Sequence, residues 1–209
     1  KMEKQLDEVR LQMLKNQINP HFLFNTLNMI ASTAQIEDAA ATEKMIHALS
    51  RLFRYNLKST DSVMPLEREL KVVQDYMYLQ QMRFGQRIRY DTDCNQDTLE
   101  VLVPSFALQP LVENAIIHGI SPKGQGGRIH VRSWMEGRRL WISVADTGRG
   151  MAQERLEEIR LALARGEEKA TGVGVGNIYR RVHGMYRDGE VFIYSSEGRG
   201  TVVQMAFTP

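Results

Sequence analysis

A histidine near the start of the chain stands among residue types that suit phosphoryl transfer. It lies in the run Asn19-Pro20-His21-Phe22-Leu23-Phe24-Asn25. If this run is helical, His21 and Asn25 lie one turn apart on a polar face. A neutral imidazole exposed on such a face is a competent nucleophile toward phosphorus. The alternative is a surface histidine beside a kink, because Pro20 removes a backbone hydrogen bond from the helix.

An acid, an amide and an imidazole stand together in the middle of the chain. The apolar positions between 108 and 116 predict a helix over about 105–119, and Glu113, Asn114 and His118 lie off its apolar side. Side chains of these types can hold a hydrated Mg²⁺ and polarise a water or a phosphoryl acceptor. The alternative is a solvated polar face that ends at a glycine cap, Gly119.

A predicted strand ends in a carboxylate that two alternating glycines follow, in the run Asp146-Thr147-Gly148-Arg149-Gly150. An aspartate at a strand end can accept a hydrogen bond from an exocyclic amine. The glycines let the backbone pass close to a planar ring. The alternative is a simple Asp-Thr-Gly turn.

A second glycine cluster, Gly172-Val173-Gly174-Val175-Gly176-Asn177, leads into a predicted helix. Backbone N–H groups in such a loop, at a helix N-terminus, form an anion site. The cluster does not follow a strand and no Gly-Lys-Ser/Thr follows it, so the Rossmann and P-loop interpretations are both excluded. Residues 151–170, between the two glycine clusters, are predicted to form a mobile flap.

Glycine usage divides the chain, because all 16 glycines lie at or after Gly85. A glycine-free stretch favours extended helices, and a glycine-rich one favours turns and loops. We therefore expect a helical domain over residues 1–84 and a second domain over residues 85–209. The apolar stripes of the predicted helices are narrow, which favours a homodimeric four-helix bundle.

Two more helices are predicted in the first part, besides the one that carries His21. Apolar spacing predicts one over Ala39–Leu57 and another from Pro65 to about Phe84. Glu67 and Glu69 fall in the first turn of the latter, where the positive end of the helix dipole favours acids.

The second part alternates between strand and helix patterns. Helices are predicted near 105–119, 152–165 and 175–187. Helices gathered on a mostly antiparallel sheet make a two-layer α/β sandwich, so the fold class is α+β, a helical hairpin followed by such a sandwich. The predicted strands are Arg87–Asp93, Arg128–Met135, Leu140–Ala145, Val191–Ser195 and Thr201–Phe207.

Composition excludes several classes of protein. The chain has 209 residues with 27 Lys and Arg against 25 Asp and Glu, a net charge of +2, which argues against nucleic acid as the main partner. The single cysteine, Cys94, excludes an internal disulfide and favours a reducing compartment. Because the chain opens on Lys1, we expect it to be a fragment, so membrane segments upstream of it are not excluded.

Together these motifs resemble those of sensor histidine kinases of the LytS/YesM type. The run around His21 is similar to the phosphoacceptor box, and Glu113-Asn114-Ala115 with His118-Gly119 to the N box. The glycine clusters that begin at Asp146 and Gly172 resemble the two glycine boxes. Gly198-x-Gly200-Thr201 is similar to the terminal motif of the gyrase, chaperone, kinase and MutL ATP-binding fold. The resemblance covers nearly the whole chain.

The resemblance implies a role for each of these residues. His21 would be the phosphorylated residue, Asn114 the Mg²⁺ ligand and Glu113 the base or water organiser. Asp146 would receive the adenine amine. The other contacts to the nucleotide would come from His118, Gly148, Gly150, Gly172, Gly174, Asn177 and Thr201.

The function implied by this resemblance is a two-component kinase with a Bergerat-type ATP-binding domain. ATP with Mg²⁺ would phosphorylate His21, and the phosphoryl group would pass to an aspartate on a response-regulator receiver domain. The chain would be a homodimer and the cytoplasmic portion of a bacterial inner- or plasma-membrane protein. Two alternatives remain, an ATPase of the same superfamily without histidine transfer, and a non-catalytic dimerisation module.

Overall fold

A computed structural model describes residues 20–58, 62–165 and 173–209 of the chain. The side chains of residues 20–26 lie outside the described part. The chain forms two compact units, Lys1–Thr60 and Asp61–Pro209. No helix within the described ranges is long and apolar enough to span a membrane.

The first unit contains two helices that pack against each other, α1 (Pro20–Ile36) and α2 (Ala40–Lys58). The turn between them is closed by the N–H of Ala39, which donates to the carbonyl of Ala34 at 2.7 Å. Helix α2 agrees with the predicted Ala39–Leu57. The predicted bend at Pro20 involves residues before it, which lie outside the described part.

The second unit is built on a five-stranded sheet. Strand β2 (Ile88–Cys94) pairs in parallel with β4 (Gly127–Glu136), and all the other pairs in this sheet are antiparallel, as the sandwich prediction expects. A separate pair, β1 (Val63–Pro65) with β3 (Leu102–Pro104), was not predicted, because three residues are too few to show a period. The sheet order is β2 (Ile88–Cys94), β4 (Gly127–Glu136), β5 (Arg139–Asp146), β7 (Gly200–Phe207), β6 (Glu190–Ser196).

Helices cover one face of this sheet. Alternate strand residues such as Ile129, Ile142 and Met205 are buried in one core with apolar residues from every helix of the unit. This is the two-layer arrangement that the alternation of strand and helix patterns predicts. The helices are α3 (Leu66–Phe84), α4 (Gln109–Asn114, continued by a π-helix over Ala115–Ile120), α5 (Gln153–Arg165) and α6 (Val173–Met185).

The two compact units divide at a different place from the predicted boundary at residue 84. Helix α3 contacts α4 and β2, and its buried residues Leu66, Val73 and Met77 belong to the core of the second unit. Its broad apolar side is therefore used in the second unit, which begins at Asp61.

Both predicted acids lie in the first turn of helix α3. Glu67 is exposed, as an acid that interacts with the helix dipole should be. Glu69 is fully buried and also accepts hydrogen bonds from the backbone of a distant turn, a contact that the sequence did not predict.

Candidate functional site

Asp146, the last residue of β5, is held by the backbone around it. The N–H of Gly148 donates to Oδ1 of Asp146 at 2.7 Å, and Asp146 is paired in the sheet register with Thr201. Burial raises the pKa of Asp146, while backbone hydrogen bonds from Gly148 and Thr201 and the charge of Lys123 act in the opposite direction. The result is an oriented, partly buried carboxylate.

Two glycines pack so closely around this carboxylate that a side chain at either position would force its neighbours to shift. A Cβ on Gly119 would lie 2.8 Å from Oδ1 of Asp146, and one on Gly148 would lie 2.6 Å from the same atom. Gly119 is not the helix cap of the alternative interpretation, because it lies inside the π-helix that runs to Ile120. The left-handed glycine after that helix is Gly124.

The carboxylate lies at a cavity of about 300 Å³ between the sheet and the helices. Asn114 and His118, which were predicted to project together, both line this cavity, and the π-helix begins directly after Asn114. Such π-helical turns occur often at functional sites. The apolar part of the wall includes Leu111, Val144, Ile159, Val175, Ile193 and Val203.

A second set of glycines connects the loop after Asp146 to the strand β7. Gly150 and Gly200 have backbone φ angles of +65° and +103°, and a Cβ on Gly200 would overlap the carbonyl oxygen of Asp146. The N–H of Gly198 donates to the carbonyl of Arg149 at 2.6 Å. These contacts place Gly150 and Thr201 at the same cavity.

Helix α6 approaches α4 at the other side of the cavity. A Cβ on Gly174 would overlap Nδ2 of Asn114 and lie 3.0 Å from the carbonyl oxygen of Pro110. Gly174 is therefore required for close packing of the two helices. Gly172, predicted to act beside it, lies outside the described residues.

The predicted flap over 151–170 is wrong for most of its length. Residues 153–165 form α5, in which Leu156, Ile159 and Leu163 are buried in the core of the unit. An apolar stripe of this kind fixes a helix to the sheet. Residues 166–170 lie outside the described part.

Four of the predicted residues within the described ranges do not line the cavity, namely Glu113, Gly148, Gly174 and Asn177. Glu113 accepts a hydrogen bond from Nε2 of Gln109 at 2.8 Å and lies close enough to Tyr76 to help raise that pKa to about 12, although burial is the larger cause. Oδ1 of Asn177 accepts a hydrogen bond from Arg180 at 2.5 Å. The side chain of His21 lies outside the described part.

Two arginines that the sequence interpretation missed line the cavity, Arg149 and Arg155. Arg149 lies between the paired glycines and donates through Nε to the carbonyl of His118 at 3.0 Å. Their positions in the glycine cluster and on α5 carry no signal that separates them from other surface arginines. They add positive charge to the cavity, which suits an anionic ligand.

A purine nucleotide fits the chemistry of this cavity, and a metal ion held by protein alone does not. The cavity combines one buried acceptor, apolar walls and close glycine backbone. Among the described residues no three His, Cys, Asp or Glu side chains cluster as a metal site would require. Mg²⁺ commonly binds through one or two protein ligands together with phosphates and waters, so the amide of Asn114 suits that ion when it arrives with a nucleotide.

Comparison with known proteins gives two family matches. The family described as "Histidine kinase" matches residues 9–88, and the one described as "Histidine kinase-, DNA gyrase B-, and HSP90-like ATPase" matches residues 104–209. Helix α3 thus falls in the first match by sequence and in the second unit by packing.

Similar proteins include two bacterial sensors and one solved structure. The sensor histidine kinase YpdA of Escherichia coli is 33% identical over 90% of this chain and 32% of its own length. The sensor protein LytS of Staphylococcus saprophyticus is 34% identical over 94% of this chain and 33% of its own length. The chain therefore spans about a third of the length of these relatives.

The fold is shared with the histidine kinase domain of the Erythrobacter litoralis EL346 blue-light activated histidine kinase. The TM-score is 0.50 at 18% identity, with 98% of this chain and 93% of the other covered.

Proposed function

The chain belongs to the sensor histidine kinase family, and we propose that its second unit binds ATP and that His21 receives the γ-phosphoryl group. The observation that carries the proposal is the partly buried carboxylate of Asp146 beside a largely apolar cavity. A carboxylate in this setting is a selective acceptor for an amine on an otherwise apolar ring.

The proposed recognition of adenine depends on the hydrogen-bond acceptor sites of Asp146 that the protein does not use. Backbone hydrogen bonds from Gly148 and Thr201 orient the carboxylate, whose two oxygens retain further acceptor sites for the exocyclic amine. Val144, Ile193 and Val203 supply apolar wall for the ring. A base without an amine at that position would leave the carboxylate unpaired, and a buried unpaired charge is costly.

We assign the phosphates to the side of the cavity where α4 and α6 meet. Asn114 would supply the amide oxygen for Mg²⁺, which neutralises charge on the transferring phosphoryl group. Glu113, although it is bonded to Gln109, remains the proposed base or water organiser. The other proposed contacts are His118, Gly148, Gly150, Gly172, Gly174, Asn177 and Thr201, with Arg149 and Arg155 as added cations.

The proposed reaction has two balanced steps. A ring nitrogen of His21 attacks the γ-phosphorus, the bond to the bridging oxygen breaks, ADP leaves and the ring loses its proton. The phosphoryl group then passes to an aspartate of a response-regulator receiver domain, so that the P–N bond breaks as the new P–O bond forms. The protein contributes positioning and charge neutralisation.

The proposed setting follows from the family. Residues 1–84 would form the dimerisation and phosphoacceptor region of a homodimer, and residues 85–209 the catalytic region. Since the chain spans about a third of its relatives, we propose that it is the cytoplasmic portion of a bacterial membrane protein with a sensor region upstream.

Radiolabelled ATP tests the acceptor. His21→Gln should abolish acid-labile, base-stable label on the protein and leave nucleotide affinity unchanged, whereas Asp146→Asn should abolish affinity and label together. A matched control is His47→Gln, a partly exposed histidine on α2 that pairs with Glu43, which should label normally.

Three results would contradict the proposal. Normal labelling of His21→Gln would exclude His21 as the acceptor. Steady release of phosphate from ATP with no labelled protein would support an ATPase without histidine transfer. Failure of the unaltered chain to bind any adenine nucleotide would support a non-catalytic module.

A further inference from the structure

The segment between β3 and α4 makes a tight turn, residues Ser105–Leu108, that has an unusual backbone. Phe106 has a φ of +59°, in the left-handed region that non-glycine residues seldom adopt. Ser105, Ala107 and Leu108 around it are buried. Because the left-handed region costs on the order of 1 kcal/mol for such a residue, its surroundings must hold it there.

Helix α3 provides the group that holds this turn. Glu69 is 0% exposed, its Oε1 accepts the N–H of Phe106 at 2.9 Å, and its Oε2 accepts the N–H of Leu108 at 3.0 Å. Both oxygens of the buried carboxylate are thus engaged by one turn. Charge-assisted bonds of this kind are what make an interior carboxylate tolerable, and they fix the backbone that donates them.

The same turn sets the start of α4. The carbonyl of Leu108 accepts the N–H groups of Leu111 and Val112, both at 3.1 Å, and so begins the first turn of the helix. Helix α4 ends six residues later at Asn114, which lines the cavity. A displacement at Leu108 is therefore passed directly to Asn114 through a short hydrogen-bonded element.

Helix α6 contacts both ends of this arrangement. Arg181 donates to the carbonyl of Ser105, and its guanidinium carbon lies 5.4 Å from the ring centre of Phe106. At its other end, Gly174 is packed against Asn114 and Pro110 of α4. The turn and the cavity end of α4 are thus parts of one packed assembly.

We propose that Glu69 is a positioning residue for nucleotide binding. By holding the Ser105–Leu108 turn in its left-handed form, its carboxylate places α4 and thereby Asn114 at the cavity. The inference rests on the proposed function. Helix α3 lies in the histidine kinase match but packs in the second unit, and through Glu69 it contacts the turn that leads into α4 and Asn114.

Substitution of Glu69 tests the role. Glu69→Gln places an amide N–H donor opposite a backbone N–H donor. The affinity of the whole chain for AMPPNP with Mg²⁺ should therefore fall about tenfold, as measured by titration calorimetry. The matched control is Glu67→Gln, the same change at an exposed position on the same helix, which should leave the affinity unchanged.

A second substitution separates positioning from general loss of stability. Phe106→Gly removes the left-handed strain that the carboxylate has to hold. In the Glu69→Gln background it should restore affinity by severalfold, although loss of the ring lowers the melting temperature. If Glu69 only stabilised the fold, the double variant would bind more weakly than either single variant.

Amide hydrogen exchange tests the turn without nucleotide. Glu69→Gln should speed exchange at the N–H groups of Phe106 and Leu108, and unchanged exchange would overturn the contact. Wild-type affinity in Glu69→Gln, or no recovery in the double variant, would overturn the positioning role. If the unaltered chain fails to bind AMPPNP, the proposed function fails, and exchange alone then decides whether Glu69 holds the turn.

Discussion

Two carboxylates are removed from water in the second unit, Glu69 fully and Asp146 in part, and their surroundings give them different roles. Glu69 gives both oxygens to backbone N–H groups inside the core. Asp146 accepts the N–H of Gly148 and lines the cavity, and burial raises its pKa. A buried acid whose acceptors are used within the fold fixes structure. An acid that is partly desolvated at a cavity and keeps unused acceptor sites is suited to bind a ligand.

The largest expected effect comes from neutralising each acid with its amide. Asp146→Asn turns a donor toward the adenine amine, and AMPPNP affinity should fall about 100-fold or more. The same change removes a desolvated charge, so the melting temperature without nucleotide should rise. Glu69→Gln should instead lower the melting temperature, because it breaks a bond inside the core.

Calorimetry and thermal melting of the two variants side by side check this contrast. Both substitutions replace a carboxylate with its amide. If both changed the melting temperature in the same direction, the two acids would not differ in their effect on stability. Wild-type AMPPNP affinity in Asp146→Asn would show that this carboxylate does not recognise the base.

A second prediction concerns the close contact at Gly119. Gly119→Ala places a Cβ 2.8 Å from Oδ1 of Asp146, so it should cost about 1–3 kcal/mol of unfolding free energy and weaken nucleotide binding. The matched control is Gly184→Ala in α6, where a Cβ meets open space. That change should stabilise by up to about 1 kcal/mol.

Urea unfolding of both alanine variants measures the difference. Equal effects at the two positions would mean that helix propensity, and not the contact with Asp146, decides the cost at Gly119.

The two acids also differ in how far the sequence could predict them. Asp146 was predicted because it follows an alternating strand and precedes paired glycines, which are local signals. Glu69 was interpreted as a dipole acid, since its partners Phe106 and Leu108 lie more than 35 positions away. A contact that forms only in the tertiary fold cannot be predicted from a local sequence pattern.

The same limit applies to the rest of the fold and site. Strand and helix periods predicted the five-stranded sheet and α3, because each is long enough to show its repeat. The π-helix over Ala115–Ile120 and the short pair β1–β3 depend on tertiary packing and were missed. The helix predicted near 152–165 is confirmed as α5, whereas the prediction that this segment is a mobile flap is wrong, because only the tertiary fold shows that its apolar stripe is buried against the core.

The third prediction is a pH dependence of opposite sign for stability and binding. Because burial raises the pKa of Asp146, the folded chain holds that proton at pH values where the unfolded chain has lost it. Its contribution to the unfolding free energy therefore falls as pH rises from the unfolded value near 3.8 through the raised pKa. AMPPNP affinity should rise over the same window, as the acceptor ionises.

Melting temperatures of the unaltered chain and Asp146→Asn, measured from pH 4 to 7, check this dependence. The advantage of the variant should be full at neutral pH and should shrink as pH falls through the raised pKa. A difference that is constant across the range would mean that ionisation of Asp146 does not cost stability.

The smallest expected effect is at Asp188, an exposed acid whose pKa shifts in the direction opposite to that of Asp146. The pKa of Asp188 is lowered, first by the side-chain hydrogen bond from Thr208 and next by the backbone N–H of that residue. Its stabilising contribution is present above the unfolded pKa near 3.8 and is lost as pH falls through the lowered value. Asp188→Asn should lower the melting temperature at pH 7 by no more than about 2 °C.

The difference in melting temperature between the unaltered chain and Asp188→Asn should disappear at acid pH. The difference between the unaltered chain and Asp146→Asn should disappear there too, but it has the opposite sign at neutral pH. Asp97→Asn, the same charge change at an exposed turn position, controls for net charge. If Asp97→Asn lowers the melting temperature as much as Asp188→Asn does, net charge and not the bond to Thr208 explains the effect. If Asp188→Asn instead raises the melting temperature at pH 7, its hydrogen bonds to Thr208 do not stabilise the fold. The contrast between Asp188 and Asp146 would then be lost.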